Sequence, residues 1–328
     1  MLAVFLAYGL ESLCHADGSS MQVVVAVSGG VDSVVLLDML VKNWQVAEGT
    51  RRQPSFSGKG KLWNSFPERS GGQNPPIIVA HFDHGIRDDS AEDAQFVASL
   101  AKKYRLPFET KREILGKNAS EELARERRYL FLRQVARKYD ARIATAHHMN
   151  DSAETIAINI ARGTGWRGVA VLASAIYRPL LGMTKQELLT YAKENSLDWR
   201  EDSTNASSAY LRNRLRAKIV DEDVVLQLAA LRAEQVALRD QIDAEVAELI
   251  RSIHNDYSRY FFTHVDAVVA RELLRGIAIN EFGYSPTRPQ LERVLLAIKT
   301  ARPGSTFEFG DAWLTMGKKT FGLSVKTP

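Results

Sequence analysis

The chain has 328 residues, 45% of them hydrophobic and 25% charged, with 43 Lys and Arg against 39 Asp and Glu. That length and apolar content exclude a disordered polar chain and suit a globular protein of two domains. The net charge of +4 is compatible with a nucleic-acid partner, and the single cysteine, Cys14, excludes an intramolecular disulfide and Cys-x-x-Cys chemistry, which points to a reducing, cytoplasmic setting.

Residues 1–10 are apolar but too few to cross a membrane, and no Lys or Arg precedes them, so residues 1–20 read as an N-terminal extension ahead of Met21, without an assigned function. Val23 to Val27 is the first expected strand. It runs directly into Ser28-Gly29-Gly30-Val31-Asp32-Ser33 and then the amphipathic stretch Val34 to Val41, giving strand, tight loop and helix. Two consecutive glycines let backbone approach an anion closely, while Ser28, Ser33 and the N–H groups of the new helix donate to phosphate oxygens. The spacing is not that of a Walker loop, because no lysine follows the glycines. A plain turn with Asp32 as helix cap is the alternative.

Residues 49–76, rich in Gly, Ser, Pro, Gln, Lys and Arg and without periodicity, read as a flexible insertion. Strands are then expected at Ile77–Phe82, Pro107–Lys111 and Arg142–Ala146, with helices over 90–104 and 120–139, the second starting after Ser120. This alternation predicts an α/β fold with a parallel sheet. His81-Phe82-Asp83-His84-Gly85-Ile86-Arg87 lies at the end of the second strand, and His147-His148-Met149-Asn150-Asp151-Ser152-Ala153-Glu154 follows the fourth. Right-handed crossovers place these strand ends and the glycine loop on one edge, where such sheets bind ligands. Asp151 and Glu154 also form a D-x-x-E capping pattern before Ile156 to Ile160. A permanent zinc site is disfavoured, since the His and Asp residues lack the i, i+4 spacing that preorganises metal ligands; magnesium, held transiently by Asp32 or Asp151 with triphosphate oxygens, fits better. Two basic clusters stand out, Arg125 to Arg142 and Arg212 to Lys218, each of which has a solvated surface as its simpler explanation.

The Ser-Gly-Gly-Val-Asp-Ser loop resembles that of the PP-loop ATP pyrophosphatases. The ordered set of that loop, His-Phe-Asp-His-Gly-Ile-Arg, Glu122-Leu-Ala-Arg125-Glu-Arg-Arg128-Tyr129, Ala-His-His-x-x-Asp-x-x-Glu-Thr, Arg178-Pro179-Leu180-Leu181 and Arg212-Asn213-Arg214-Leu215-Arg216 resembles the tRNA(Ile)-lysidine synthetases over residues 21–218. Glu201-Asp202-Ser203-Thr204-Asn205 is similar to the family's lead-in to its Arg-Asn motif. Asn150 departs from the aspartate of many members, while Asp151 is retained.

The resemblance implies an adenine-nucleotide alpha-hydrolase-like catalytic domain and a two-step reaction on a CAU-anticodon isoleucine tRNA. The C2 oxygen of the wobble cytidine attacks the α-phosphate of ATP, releasing pyrophosphate; the amine of free lysine then displaces AMP. On this reading Ser28, Gly29, Gly30, Val31, Asp32, Ser33, Asp83 and Arg87 bind ATP, and His81 either joins them or faces the core. Asp32, His147, Asp151 and Glu154 form the catalytic set, with magnesium on Asp32 and Asp151 and no tightly bound cofactor. Arg125, Arg128, Arg212, Arg214 and Arg216 contact the tRNA. A tRNA thiolase suits a one-cysteine chain poorly, an amidotransferase-type synthetase lacks its glutaminase domain, and an ATP- and tRNA-binding adaptor without turnover is the non-enzymatic alternative.

Beyond residue 218 the pattern changes to a long helical run over Val220–Ile253, helices near 265–281 and 287–300, and strands at Ser305–Phe309, Trp313–Met316 and Thr320–Val325. A smaller, mainly helical domain over 219–328 with a short β meander is expected, by resemblance a tRNA-recognition domain; homodimerisation through a coiled coil is the alternative use of the long helix.

Overall fold

The computed structural model describes residues 22–47, 76–85, 90–116, 119–173, 176–201, 221–251 and 257–325. The N-terminal extension, Cys14, most of the expected insertion, Arg87 and the cluster Arg212, Arg214 and Arg216 lie outside the described residues.

The first unit is a parallel α/β sheet. Strand β1 (Gln22–Ala26), helix α1 (Val31–Ala47), β2 (Ile77–Asp83), α2 (Ser90–Lys103), β3 (Phe108–Arg112), α3 (Glu121–Lys138) and β4 (Ala141–Ala144) follow in chain order. The strands lie in the order β3-β2-β1-β4, every pair parallel, with Val24 opposite Ile78 on one side and Ile143 on the other. Both faces of β1 are buried, which is why its sequence is a continuous valine run instead of an alternation. Val23, Val25 and Val27 pack with Val34, Leu37 and Val41 of α1 on one face, and Val24 packs with Ile78, Tyr129, Leu132 and Val135 on the other. Ser120 caps α3 by accepting from Leu123 N at 3.1 Å.

The chain continues through α4 (Met149–Ala161), 3-10 turns at Trp166–Gly168 and Pro179–Gly182, α5 (Lys185–Glu194) and the 30-residue α6 (Glu222–Arg251). Tyr177 adds a parallel bridge to Ala144. Thr184 and Glu187 form a capping box that starts α5. The first turns of α6 belong to the first unit, with Val225 packed on Met149 and Ala153.

The second compact unit comprises residues 162–170 and 233–328. It contains the rest of α6, β5 (Tyr257–Ser258), α7 (Arg259–His264), α8 (Ala267–Phe282), α9 (Arg288–Thr300) and the strands β6 (Thr306–Phe309), β7 (Ala312–Met316) and β8 (Thr320–Val325). The three-stranded meander is present as expected, and β5 extends it to the antiparallel order β5-β8-β7-β6. Arg167 ties residues 162–170 into this unit through Asp243 and, at 2.8 Å, Glu272. No helix among the described residues is long and apolar enough to cross a membrane.

Gly276 lets α8 approach α6 closely: a Cβ there would overlap Val246 Cγ1 and stand 2.7 Å from Ile250 Cδ1. The variant Gly276→Leu is expected to lose about 2 kcal/mol of stability, overpacking outweighing the gain in helix propensity. A lower denaturant midpoint checks this; an unchanged one would mean that the helices part freely.

Candidate active site

The strand order reverses beside β1: β2 lies on one side of it and β4 on the other, so the crevice at their C-terminal ends is the topological switch point of the sheet. Two polar segments leave the sheet there, residues 27–33 after β1 and 145–151 after β4.

The first is a loop built to expose donors. Gly29 has φ +95°, a left-handed conformation that side chains resist, and Ser33 Oγ donates to Gly30 O at 2.8 Å while accepting from Ser28 N at 3.2 Å. Ser28 Oγ lies 3.3 Å from Ser33 Oγ. Helix α1 begins at Val31, so Asp32 stands in its first turn, where the helix dipole favours an anion. Arg200 holds the loop from outside: its N–H donates to Gly29 O at 2.9 Å and its guanidinium reaches Asp93 and Glu92.

The second segment starts α4 three residues before the point that the D-x-x-E pattern suggested. His148 O accepts from Ser152 N, and Asp151 Oδ2 accepts from His148 N at 3.0 Å, so Asp151 sits in the first turn and caps backward. His148 Nε2 lies 3.7 Å from Asp32 Oδ2 and 3.6 Å from Asp151 Oδ2, bringing the two carboxylates to one imidazole. Lys185 at the start of α5 completes the group, its Nζ 2.6 Å from Asp32 Oδ1, and Asn150 Oδ1 accepts from Lys185 N at 2.9 Å. Asn150, at the position of the family's common aspartate, therefore anchors the helix that carries Lys185.

A buried polar knot holds α5 beside α1. Asp38 accepts hydrogen bonds from Tyr104 at 2.7 Å and Tyr191 at 2.8 Å and pairs with Lys42. Burial and the Asp38 charge push both phenols well above their usual range, so they remain donors.

Next to the carboxylates lies a cationic shelf. Arg125 and Arg128 flank Tyr129, their guanidinium carbons 4.9 and 5.7 Å from the ring centroid, and Arg178 donates to Leu172 O at 2.9 Å. His147 faces this shelf, with Nδ1 2.8 Å from Thr145 Oγ1. Burial pushes its pKa down to about 4; Asp151 opposes the shift, while Arg178, Arg125 and Arg128 add to it. The ring is neutral at pH 7. Because the unfolded chain takes up this proton near pH 6.5 and the folded one only near 4, the stabilisation is complete above pH 6.5 and lost as pH falls toward 4. The wild type is expected to lose about 3 kcal/mol more than His147→Gln across that window, read from denaturant unfolding at each pH; parallel curves would contradict it.

Other candidates have different surroundings. His81 turns inward, 4% exposed, with Nδ1 2.9 Å from Val27 O. Asp83 is buried, accepts from Gly85 N at 2.8 Å and pairs with Arg112 at 3.3 Å, so its carboxylate is engaged in shaping the turn after β2. Glu154 is 4% exposed, one turn behind Asp151. Among the described residues no three His, Cys, Asp or Glu side chains form a ready-made metal cluster. Lys185 and Arg200 join the site without a sequence signal of their own, and His148 and Arg178 lie in motifs that the sequence marks without giving them a role; the Thr184-x-x-Glu187 capping signal marks where Lys185 begins a helix, but not what it reaches.

Fold and loop together define a PP-loop nucleotide-binding domain, and the PP-loop domain model matches residues 6–223. The tRNA(Ile)-lysidine synthase of Thermosipho africanus is 31% identical over 83% of this chain and 61% of its own length. That of Thermotoga maritima is 30% identical over 91% of this chain and 70% of its own, and that of Bacillus cereus is 36% identical over 60% and 39%. The chain belongs to the tRNA(Ile)-lysidine synthase family. It spans less than two thirds of the first and the last of these relatives. A U34-tRNA thiolase from Methanococcus maripaludis, 15% identical over 78% of this chain and 79% of its own, has a TM-score of 0.49, a likeness too slight to bear on function.

Proposed function

We propose that this chain adenylates the wobble cytidine of a CAU-anticodon isoleucine tRNA with ATP and joins free lysine to it. The observation that carries the reading is the meeting of the PP-loop, Asp32, Asp151 and Lys185 at the switch point, with the Arg125, Arg128 and Arg178 shelf beside them. In the first step the cytosine C2 oxygen bonds to the α-phosphorus, the bond to the β-phosphate oxygen breaks, and pyrophosphate leaves into the loop. Ser28, Ser33, the loop N–H groups and the Lys185 ammonium stabilise that leaving charge. In the second step the lysine amine bonds to C2 and AMP departs with the C2 oxygen.

The attacking amine must shed a proton, and Asp151 is the acceptor this reading assigns. His147, neutral and hydrogen-bonded to Thr145, orients the base or the amine, and Glu154, buried one turn on in the same helix, is the remaining acid of the set. The two carboxylates around His148 fit magnesium, which uses few protein ligands and keeps oxygen neighbours. When bound, the ion would offset triphosphate charge and align the α-phosphate.

Arg125 and Arg128, with Arg212, Arg214 and Arg216, serve as phosphate contacts that orient an anticodon loop whose cytidine is splayed into the pocket. The catalytic domain is assigned to residues 21–218 and tRNA recognition to 219–328. Pyrophosphate release that requires this tRNA, measured without lysine, tests the first step; release that ignores the RNA would sink the reading.

A further inference from the structure

We infer that the second unit carries a basic, aromatic surface on which an unpaired nucleotide of an RNA stacks against Tyr260. This rests on the reading of the chain as an RNA-modifying enzyme, and it adds a contact remote in sequence from the PP-loop motifs. Tyr260 is 73% exposed, an unusual setting for so large a ring. It is nevertheless ordered: His264, one helical turn on, stacks on it at 4.0 Å with 29° between the planes, and His264 Nδ1 lies 2.8 Å from Tyr260 O. A ring backed on one face and open to solvent over most of its area is a platform for a base.

The neighbouring residue ties the start of this helix to two basic segments. Arg259 donates to Ile298 O at 2.8 Å and Ala301 O at 2.8 Å, and to Gly317 O at 3.0 Å, while its own N–H donates to Lys319 O at 2.9 Å. One guanidinium thus gathers the C-terminal carbonyls of α9 and the turn between β7 and β8 beside Tyr260. Lys299, Arg302, Lys318 and Lys319 ride on those two segments, all exposed, and among the described residues none of the four pairs with a carboxylate. An exposed stacked aromatic whose neighbour in the chain is bonded to two segments that carry four exposed cations favours a polyanion with π-faces. A second copy of this chain would bring the same cations against each other, and a protein partner would prefer a broader apolar area.

The test is fluorescence anisotropy of the full chain with a labelled CAU-anticodon tRNA transcript, alongside labelled-lysine uptake by the wild type. Tyr260→Ala is expected to weaken binding about tenfold, and Tyr260→Phe, which keeps the ring, to restore it. Lys318→Glu with Lys319→Glu should weaken binding and reduce the slope of log Kd against log salt by about 1.4, two phosphate contacts' worth. If the wild type binds tRNA and takes up lysine while Tyr260→Ala and the lysine variant bind as tightly, the surface is wrong and the enzymatic reading stands. If the wild type binds no tRNA, both fail. Variants that alter sedimentation of the protein alone, with RNA affinity unchanged, would give the face to a second copy and overturn the assignment.

Discussion

Replacing Asp32 by asparagine is expected to lower tRNA-dependent pyrophosphate release about 1,000-fold, roughly 4 kcal/mol of transition-state stabilisation, with ATP affinity changed by only a few fold. The two effects separate because Asp32 faces both ways. Its carboxylate balances Lys185 at 2.6 Å and stands within 3.7 Å of His148, so in the proposed reaction its charge belongs to the frame that aligns the phosphates. Asparagine is nearly isosteric and keeps the first turn of α1 intact, but it frees the Lys185 ammonium to bind the triphosphate and removes half of the paired-carboxylate site. Kinetics at saturating ATP, with binding measured separately, distinguish this from lost affinity. A variant within tenfold of wild type would mean that Asp32 is only a helix-end residue, as a non-catalytic adaptor requires.

Asp151 gives the second large effect, and its structural share can be subtracted. Its Oδ2 accepts from His148 N, a capping bond worth about 1 kcal/mol, so Asp151→Ala confounds chemistry with stability. Asp151→Asn keeps an acceptor at that position. Both variants are expected to abolish lysine transfer while leaving tRNA affinity within a few fold, since the phosphate contacts assigned to Arg125 and Arg128 are untouched. Only the alanine variant should also unfold at lower denaturant. If the asparagine variant transfers lysine at a rate near wild type, the proton passes elsewhere, and neutral His147 becomes the base to test.

Much of the site is legible in the sequence because its parts are local. The valine run of β1, the two glycines and Asp32 are contiguous, and a buried parallel strand followed by a tight turn permits few arrangements. The two strand-end motifs are brought together by topology, which right-handed crossovers already fix. What the sequence hides are contacts that depend on packing. Lys185 meets Asp32 because α5 lies against α1, a placement held by Asp38, Tyr104 and Tyr191, and no pattern in residues 185–194 announces the partner. The adjacent His147 and His148 look alike in sequence, yet the backbone turn at the start of α4 sends one to the arginine shelf and the other between the carboxylates. His81 reads equally well as a site or a core residue, and its burial against Val27 O gives it an inward position that the sequence does not announce. Residues 162–170 fold with the second unit because Arg167 finds Asp243 and Glu272, acids more than 70 residues away.

The central claim is that one site carries both adenylation and lysine transfer on one tRNA. Purified protein incubated with labelled lysine, ATP, magnesium and an isoleucine tRNA bearing CAU, with methionine tRNAs in parallel, tests it most directly. The account predicts label in the isoleucine tRNA alone, in step with AMP release, and none in the methionine tRNAs. Pyrophosphate release without incorporated lysine would contradict lysine as the nucleophile, and equal labelling of the methionine tRNAs would contradict the proposed substrate.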